Sequence, residues 1–344
     1  MSEAKHMTTQ DQEEKREKLK DILPLDFPLS VRMNVYNLCN FRCFYCHPNM
    51  QSLVHSGEYK WYGQKMEFGL YKKCIDSLAQ YGHLKSLILT ALGEPLLHPE
   101  IDKFICYAKE KNVADRIDIV TNASALTREL SDKLIDAGLD QLRISLQGLN
   151  SKQYFENCKI QLDFHKLVDE IRYFYNRKKH TNVYIKIMDV MVTDDESRAN
   201  FYKIFDSIAD ELAIEHLHPV NAVDLSDQCV GISKLGQHEH SDICSPIFCS
   251  CTIEADGNVF PCCSLPYPLN LGNLSHESFY NIWNGTKLYE LQVLHLTGKR
   301  TQNPICSKCK MLNAIMTERD VIDDVALQIL KKVLKVHKGH SCGS

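Results

Sequence analysis

The feature that most constrains the fold of this chain is an alternation of short apolar strands with segments of helical periodicity. The predicted strands are 31–37, 84–90, 116–122, 140–146, 182–193 and 214–220. The predicted helices include 66–82, 99–111, 127–137 and 201–212. Short connections between strands and helices favour parallel strands joined by crossover helices. The sequence therefore predicts an α/β fold, either an open doubly wound sheet or a partial barrel.

Three cysteines follow the first predicted strand. The run CNFRCFYC places Cys39, Cys43 and Cys46 at C-x3-C-x2-C spacing, at the carboxyl end of a strand, where sites in such folds form. A four-iron cluster is normally held by four thiolates. Three thiolates leave one iron open to a substrate or cofactor, as catalytic zinc keeps one open position. A zinc ion with His47 or His55 as fourth ligand is the alternative.

Composition and charge exclude several classes of protein. The formal net charge is −4 and the sequence pI is near 6.4, so no electrostatic nucleic-acid binder is indicated. The sequence has no apolar run of about eighteen residues or more and its N-terminus is polar, so we expect a cytoplasmic protein with no membrane partner. MSEAKHM is interpreted as an expression remnant and left out of the predicted fold.

The cysteines are unevenly distributed. The chain has 15 of them, and clustered thiols in a reducing compartment more often bind metal than form disulfides. The isolated ones are interpreted as core or surface thiols: they are Cys74, Cys106, Cys158, Cys229 and Cys342.

A second cysteine group lies near the C-terminus. TIEADGNVFPC predicts a hairpin that turns at Asp256 and Gly257 and fixes Cys262 at a strand end. The seven cysteines of this region are Cys244, Cys249, Cys251, Cys262, Cys263, Cys306 and Cys309. Both a structural zinc ion and an iron–sulfur cluster suit such thiolates, and spacing alone does not choose among neighbouring cysteines.

The cysteine loop resembles the signature of the radical S-adenosylmethionine (SAM) enzymes. The resemblance covers roughly 30–320 and implies a partial (β/α)6 TIM-like barrel, a 4Fe–4S cluster whose open iron binds SAM, and an external one-electron donor such as flavodoxin or ferredoxin. In that family the cluster cleaves SAM reductively to a 5′-deoxyadenosyl radical. ALGEPLLHP resembles the family's GGEP motif, TNA its TNG motif and RISLQG its fourth-strand segment. The implied SAM contacts are Tyr45, Gly93, Glu94, Asn122 and Ser145.

The second cysteine group resembles the SPASM and Twitch extensions of these enzymes. Gly257 to Cys262 matches their G-x4-C motif, and 271–285 resembles their linker helix. The resemblance implies one auxiliary 4Fe–4S cluster held by Cys244, Cys262, Cys306 and Cys309, in a small cysteine-rich domain of a β-hairpin plus helix. The predicted divisions are a polar N-terminal extension (1–29), the barrel (30–225), the auxiliary domain (226–319), and an amphipathic helix with a tail (320–344).

The resemblance to Twitch-type aminocyclitol dehydrogenases and aminoglycoside epimerases implies a radical SAM oxidoreductase or epimerase acting on a small, polyhydroxylated substrate. The short N-terminal segment also favours a small molecule over a ribosomal peptide, which stays the alternative. A second alternative is a non-catalytic iron–sulfur or zinc-binding protein that docks a partner through 321–340. The candidate catalytic or substrate-contacting residues are Cys229, Cys249, Cys251, His216, His218, Asn221 and Asp189.

Overall fold

The structure is a computed structural model that describes residues 3–46, 57, 60–90, 92–217, 241–309, 311–312 and 316–341. Its strands are β1 (Lys5–His6), β2 (Ser30–Asn34), β3 (Leu84–Thr90), β4 (Ala114–Thr121), β5 (Gln141–Leu146), β6 (Asn182–Met188), β7 (Glu211–Glu215), β8 (Ser250–Ile253), β9 (Asn258–Phe260) and β10 (Gly272–Asn273). These strands form one sheet in the order β1-β7-β6-β5-β4-β3-β2-β8-β9-β10.

Helices connect and cover the strands. They are α1 (Thr9–Glu14), α2 (Leu19–Ile22), α3 (Phe68–Tyr81), α4 (Ile101–Glu110), α5 (Arg128–Asp136), α6 (Ser151–Cys158), α7 (Phe164–Arg177), α8 (Asp195–Phe205), α9 (Pro246–Cys249), α10 (Phe279–Trp283), α11 (Thr286–Leu296) and α12 (Ala326–Ser341). No helix in the described ranges is long and apolar enough to span a bilayer.

The six predicted strands run parallel and in sequential order from β2 to β7. This arrangement, with helices between successive strands, is the mixed α/β architecture of a partial barrel and confirms the predicted fold class. Because all six carboxyl ends lie at one rim, the loops after β2, β3, β4 and β5 are brought together there.

The predicted hairpin is present as β8 and β9, which pair antiparallel. Gly257 in its turn has a φ of +84°, a conformation that glycine adopts without strain. The hairpin extends the barrel's own sheet, because β8 pairs parallel with β2 from Ser30 opposite Ser250 to Met33 opposite Ile253. The cysteine-rich region is therefore attached directly beside the strand that leads into the first cysteine loop.

The exclusion of MSEAKHM from the predicted fold is wrong. Lys5 and His6 form β1, which pairs parallel with β7 at the edge of the sheet, and Ala4 and Met7 are buried. Further along the predicted polar extension, Leu23 is also buried. Apolar residues hidden among charged ones gave too weak a periodic signal for a two-residue strand to be predicted.

Several predicted boundaries also need correction. The fifth strand ends at Met188 rather than 193, because 189–191 form a 3-10 turn. The predicted helix 201–212 is α8, which begins at Asp195 because Asp194 and Ser197 form a capping box. The strand predicted from 214 starts at Glu211. Only Phe279–Trp283 of the predicted linker helix 271–285 is a helix, and the helix predicted from 321 begins at Ala326.

A second apolar cluster packs beneath the hairpin. It joins the N-terminal segment to the auxiliary region and the last helix through buried side chains, which include Leu19, Leu23, Ile247, Phe248, Leu291, Leu296, Ile322, Ile329 and Val333. Elements from both ends of the chain therefore enclose the second cysteine group.

Candidate active site and auxiliary cavity

The first cysteine loop is held in place by the end of helix α6. The backbone N–H of Arg42 donates to the carbonyl of Cys158 at 2.9 Å, and that of Phe44 donates to the carbonyl of Asn157 at 3.0 Å. The Sγ atoms of Cys43 and Cys158 lie 3.8 Å apart. No sequence signal predicts this contact, because Cys158 is distant in the chain and its pattern indicates only an isolated thiol.

The three thiols of the loop differ in their surroundings. Cys43 is buried, Cys39 is half-buried and Cys46 is exposed. The Cys39 sulfur accepts the backbone N–H of Phe41 at 3.3 Å and lies 3.8 Å from Nδ2 of Asn122. Burial raises the pKa of Cys39 to about 12, and the neighbouring Cys158 raises the pKa of Cys43 well above its usual range. Metal binding at this loop must therefore displace thiol protons.

Glu94 is a buried acid of the rim that accepts three hydrogen bonds. It is 1% exposed and lies directly after β3. Its Oε1 accepts the backbone N–H of Leu96 at 2.9 Å and the hydroxyl of Thr121 at 2.5 Å, while Oε2 accepts the backbone N–H of Asn122 at 2.7 Å. Burial raises the pKa of Glu94 to about 7 against these three donors. Oε2 thus keeps an acceptor position for one more donor.

Gly93 lets the loop after β3 touch the loop after β2. A Cβ at this position would lie 2.5 Å from the backbone atoms of Leu38 and Tyr36. The backbone N–H of Glu94 donates to the carbonyl of Leu38 at 2.9 Å, one residue before Cys39. A side chain at Gly93 would therefore push the acid and the cysteine loop apart.

The remaining predicted SAM contacts are Asn122 after β4, Ser145 on β5 and Tyr45 in the cysteine loop. Nδ2 of Asn122 donates to Oδ1 of Asn40 at 3.1 Å, which keeps the amide against the cysteine loop. The hydroxyl of Tyr45 donates to Oε1 of Gln147 at 2.7 Å, and Ser145 lies half-buried on β5. The roles of Thr121 and Gln147 in holding Glu94 and Tyr45 were not predicted, although both residues lie inside the quoted motifs.

The second cysteine group surrounds an apolar cavity. Its lining includes Cys244, Cys262, Cys263, Cys306 and Cys309, together with Pro246, Ile247, Ile305, Leu312 and Met316. Burial and neighbouring cysteines raise the thiol pKa of Cys244 and Cys262 well above the usual range. Burial also raises the pKa of Cys306 to about 11. The structure thus brings together the four predicted auxiliary ligands and adds Cys263.

Two candidate catalytic cysteines, Cys249 and Cys251, are not part of the described cavity lining. Cys251 is 1% exposed and packs in the main core on β8, where no substrate reaches its thiol. The thiol of Cys249 lies 3.6 Å from the carbonyl of Ser245, in its own short helix. The catalytic role of these two cysteines stays a prediction, and each side chain is held by packing or by a local bond. Cys229 lies outside the described residues.

A polar pair stands at the carboxyl ends of β6 and β7. Nδ1 of His216 is 2.7 Å from Oδ2 of Asp189. Oδ1 of Asp189 accepts the backbone N–H groups of Val190 at 2.8 Å and Leu217 at 3.3 Å, so the carboxylate fixes the ring. His216 is 40% exposed and can meet a ligand, whereas His218 and Asn221 lie outside the described residues.

Both thiol sets suit iron–sulfur clusters chemically. A cluster presents separate iron corners, so its ligand sulfurs do not converge on one point, as the four ligands of a single zinc ion must. Within the described ranges, no three His, Cys, Asp or Glu side chains converge as ligands of one metal ion do. The described lining of the cavity offers soft, buried thiols without a competing carboxylate, a donor set that fits a cluster.

Comparison with known families decides the assignment. The model of the radical SAM superfamily matches residues 33–203. The chain belongs to the radical SAM superfamily. A second model, the SPASM iron–sulfur cluster-binding domain, matches residues 244–310. Radical SAM domains use a 4Fe–4S cluster with SAM, and SPASM domains carry auxiliary iron–sulfur clusters, so the predicted family and cofactors are confirmed.

This radical SAM chain is also similar to curated relatives and to solved structures. A probable GTP 3′,8-cyclase of Methanococcus maripaludis is 34% identical over 125 residues, which is 36% of this chain and 38% of that protein. BtrN in complex with AdoMet and 2-DOIA aligns with a TM-score of 0.52 at 18% identity, over 82% of this chain and 93% of BtrN. The structure of anSMEcpe with bound AdoMet and Cp18Cys peptide aligns with a TM-score of 0.55 at 16% identity. The alignment covers 91% of this chain and 99% of the anSMEcpe chain. At such identities the structures establish the fold.

Proposed function

We propose that this radical SAM enzyme abstracts hydrogen from a small polyhydroxylated substrate, sugar-like or aminocyclitol-like, and completes an oxidation or epimerisation with one auxiliary 4Fe–4S cluster as its electron partner. The arrangement that carries the proposal is the shared rim, where the cysteine loop, Glu94 and the Asp189–His216 pair all follow parallel strands. The two cysteine groups lie in domains with proposed bounds of 30–225 and 226–319, flanked by 1–29 and 320–344.

Cys39, Cys43 and Cys46 are the proposed ligands of the SAM cluster. When bound, the cluster and SAM supply a hydrogen-abstracting radical, and an external donor such as flavodoxin or ferredoxin provides the electron. The chain's own contribution is position, because Arg42 and Phe44 fix the loop on α6 while Cys46 stays exposed. An exposed third ligand beside two covered ones leaves one side of the site open to the cofactor.

Glu94 is the proposed partner of the SAM ammonium group. Among the described residues, its Oε2 has one donor and can accept a second, and the three bonds already made prevent the side chain from turning away. Gly93 allows close approach of backbone. Asn122, Tyr45 and Ser145 are proposed to contact the remaining polar groups and the adenine ring of SAM.

Cys244, Cys262, Cys306 and Cys309 are the proposed auxiliary ligands. Four thiolates fill four corners, so a cluster in this apolar cavity exchanges electrons without binding substrate. Cys263 also lines the cavity and is proposed as a spare thiol, because Cys262 is the cysteine that completes the G-x4-C motif.

The substrate class rests on the Asp189–His216 pair. A half-exposed imidazole oriented by a buried carboxylate can hydrogen-bond a hydroxyl group and exchange its proton. The BtrN structure is a complex with 2-DOIA as well as AdoMet, which supports a small, polar substrate for the same fold. A peptide is the second candidate, because the anSMEcpe structure contains one.

A deuterium-transfer experiment tests the proposal. Anaerobically reconstituted enzyme is incubated with SAM, reductant, and deuterated sugars, aminocyclitols or peptides, and 5′-deoxyadenosine is analysed by mass spectrometry. We expect deuterium from a carbohydrate-like compound. Transfer from peptides alone would replace the proposal with peptide modification.

A histidine pair provides the matched control. His216→Phe is expected to abolish substrate-dependent turnover while leaving SAM cleavage in place. His180→Phe alters an exposed histidine before β6, at the opposite end of the strand, and should change neither. If both variants behave alike, the rim pair does not contact the substrate.

A further inference from the structure

His295 is a buried side chain in the wall of the auxiliary cavity. It lies on α11, is 1% exposed, and lines the cavity beside Cys244, Cys262 and Cys306. Its Nδ1 is 3.2 Å from the backbone nitrogen of Cys244. Neither sequence motif included this histidine, so its presence among the thiols was not predicted.

The bond to Cys244 fixes the position of the ring proton. A backbone N–H group is always a donor, so Nδ1 of His295 must accept and carries no proton. The neutral ring then bears its proton on Nε2. Nε2 is buried, and among the described residues it has no hydrogen-bond partner. His295 therefore has a buried N–H donor for which the described residues supply no acceptor.

Buried N–H groups nearly always have an acceptor. We propose that Nε2–H of His295 donates a hydrogen bond to a sulfur atom of the auxiliary cluster and thereby raises the reduction potential of that cluster. The inference rests on the proposed function, in which Cys244, Cys262, Cys306 and Cys309 bind a cluster here. His295 is a positioning residue in this account, because it acts through the cluster and not on the substrate.

The physical reason is the charge gained on reduction. An added electron places more negative charge on the sulfur atoms, and a hydrogen-bond donor stabilises the reduced state more than the oxidised state. Arg300, which also lines the cavity and donates to the carbonyl of Cys306, adds a positive charge with the same effect. The apolar lining strengthens both interactions.

This assignment predicts the direction of electron transfer at the auxiliary cluster. A cluster whose reduced state is stabilised accepts an electron more readily than it supplies one. Within the proposed function, His295 therefore favours oxidation of the substrate radical over its reduction.

The test is an EPR-monitored redox titration of the reconstituted full chain, with His295→Phe and His295→Gln compared to wild type. His295→Phe fills the space but removes donor and acceptor. His295→Gln keeps one of each. His83→Phe changes a histidine bonded to Asn112 and Asp115 away from the cavity and is the matched control. The SAM cluster, titrated in the same samples, is the internal reference.

We expect His295→Phe to lower the ratio of reduced to oxidised auxiliary cluster about tenfold at a fixed potential, a shift of about 59 mV for a one-electron couple. His295→Gln should recover most of this change, and His83→Phe should show none. Pulsed EPR of the reduced wild type labelled with ¹⁵N-histidine should detect a coupled nitrogen that is lost in His295→Gln.

The outcomes separate the inference from the function on which it rests. About four irons in wild type, with no second cluster signal, would contradict the proposed auxiliary cluster itself. A second cluster whose potential is equal in wild type, His295→Phe and His295→Gln would overturn only the role of His295. If the His295→Phe variant does not assemble its clusters, the wild type still provides a test. Pulsed EPR that detects no histidine nitrogen coupled to the reduced auxiliary cluster would overturn the role of His295.

Discussion

The two cysteine sites of this protein are built in contrasting ways. The first lies on the barrel rim, where Cys46 is exposed and the polar side chains of Glu94, Asn122 and Tyr45 are held by hydrogen bonds to neighbouring rim residues. The second is an apolar cavity whose described lining includes five cysteines and no carboxylate. An open polar site suits a cluster that binds a cofactor, and a closed apolar site suits a cluster that only exchanges electrons.

The two sites nevertheless share one frame. The first cysteine loop leaves the end of β2, and the hairpin that carries Cys262 pairs with β2 through β8. A rigid sheet therefore fixes the separation of the two sites. Differences between them must arise from the loops and side chains that surround each one.

The largest expected effect is that of removing a ligand at the rim. Cys43→Ala should reduce SAM cleavage to background in reconstituted protein, because two thiolates do not retain the open cluster. The measurement is the yield of 5′-deoxyadenosine with dithionite as reductant. Normal cleavage in this variant would disprove the predicted division of ligands.

The matching change in the cavity should have a more limited effect. Cys262→Ala is expected to remove about four irons and substrate turnover, while SAM cleavage continues at the rim. Iron analysis and 5′-deoxyadenosine yield measure the two effects separately.

Cys251→Ala is the control, because Cys251 lies on β8 of the same hairpin but packs in the core. It should retain both clusters. If Cys251→Ala also loses iron, the described cavity is not the auxiliary site.

Glu94 should make SAM binding at the rim site depend on pH. Burial raises its pKa to about 7, so the carboxylate that accepts the SAM ammonium is lost as the pH falls. SAM affinity in wild type should fall on the order of tenfold from about pH 7.5 to about pH 6. Glu94→Gln should bind SAM about 10-fold to 100-fold more weakly at the upper pH, as expected for a charge-assisted bond, and show a flatter profile. Equilibrium SAM binding measures both.

The carboxyl group of Glu94 should affect the stability of the folded protein in the opposite way, with stability falling as the pH rises. The folded pKa is raised above the ordinary value of 4.5, so its stabilising contribution is fully present below about 4.5 and is lost as the pH rises through about 7. The free energy of unfolding of the apoprotein, wild type minus Glu94→Gln, should fall by at most about 3 kcal/mol over this range. Urea unfolding at several pH values tests the sign.

The smallest effect concerns the contact between the two rim loops. Gly93→Ala places a Cβ 2.5 Å from backbone atoms of Leu38, and overpacking of this kind costs about 1–3 kcal/mol. Gly69→Ala, in α3 with no atom within 4 Å of its added Cβ, should instead gain up to about 1 kcal/mol. Thermal unfolding of both apo variants provides the measurement. Equal changes in stability for the two variants would show that Gly93 is not needed for the close approach of the two rim loops.

The sequence was most informative where periodicity and motif agreed. The strand 84–90 was predicted to the residue, because a run of apolar residues is bounded by turns on both sides. The cysteine spacings, with Gly93 and Glu94, were sufficient to predict the family. These signals are local, and local signals are what a single sequence contains.

The contacts that depend on tertiary structure could not be predicted. Cys158 meets Cys43 only because α6 ends beneath the rim loop, and His295 reaches the cavity only because α11 packs beside it. β1 lies at the edge of the sheet in a segment dominated by charged residues. In each case the partner is distant in the chain, so no spacing rule links the two.

Iron and sulfide analysis combined with EPR tests the central claim, that this chain holds one open and one closed cluster. The comparison is between wild type and a variant in which Cys39, Cys43 and Cys46 are replaced by alanine. We predict about eight irons in wild type and about four in the variant, with one cluster signal remaining. About four irons in wild type and none in the variant would contradict the second cluster and remove the electron partner from the proposed reaction.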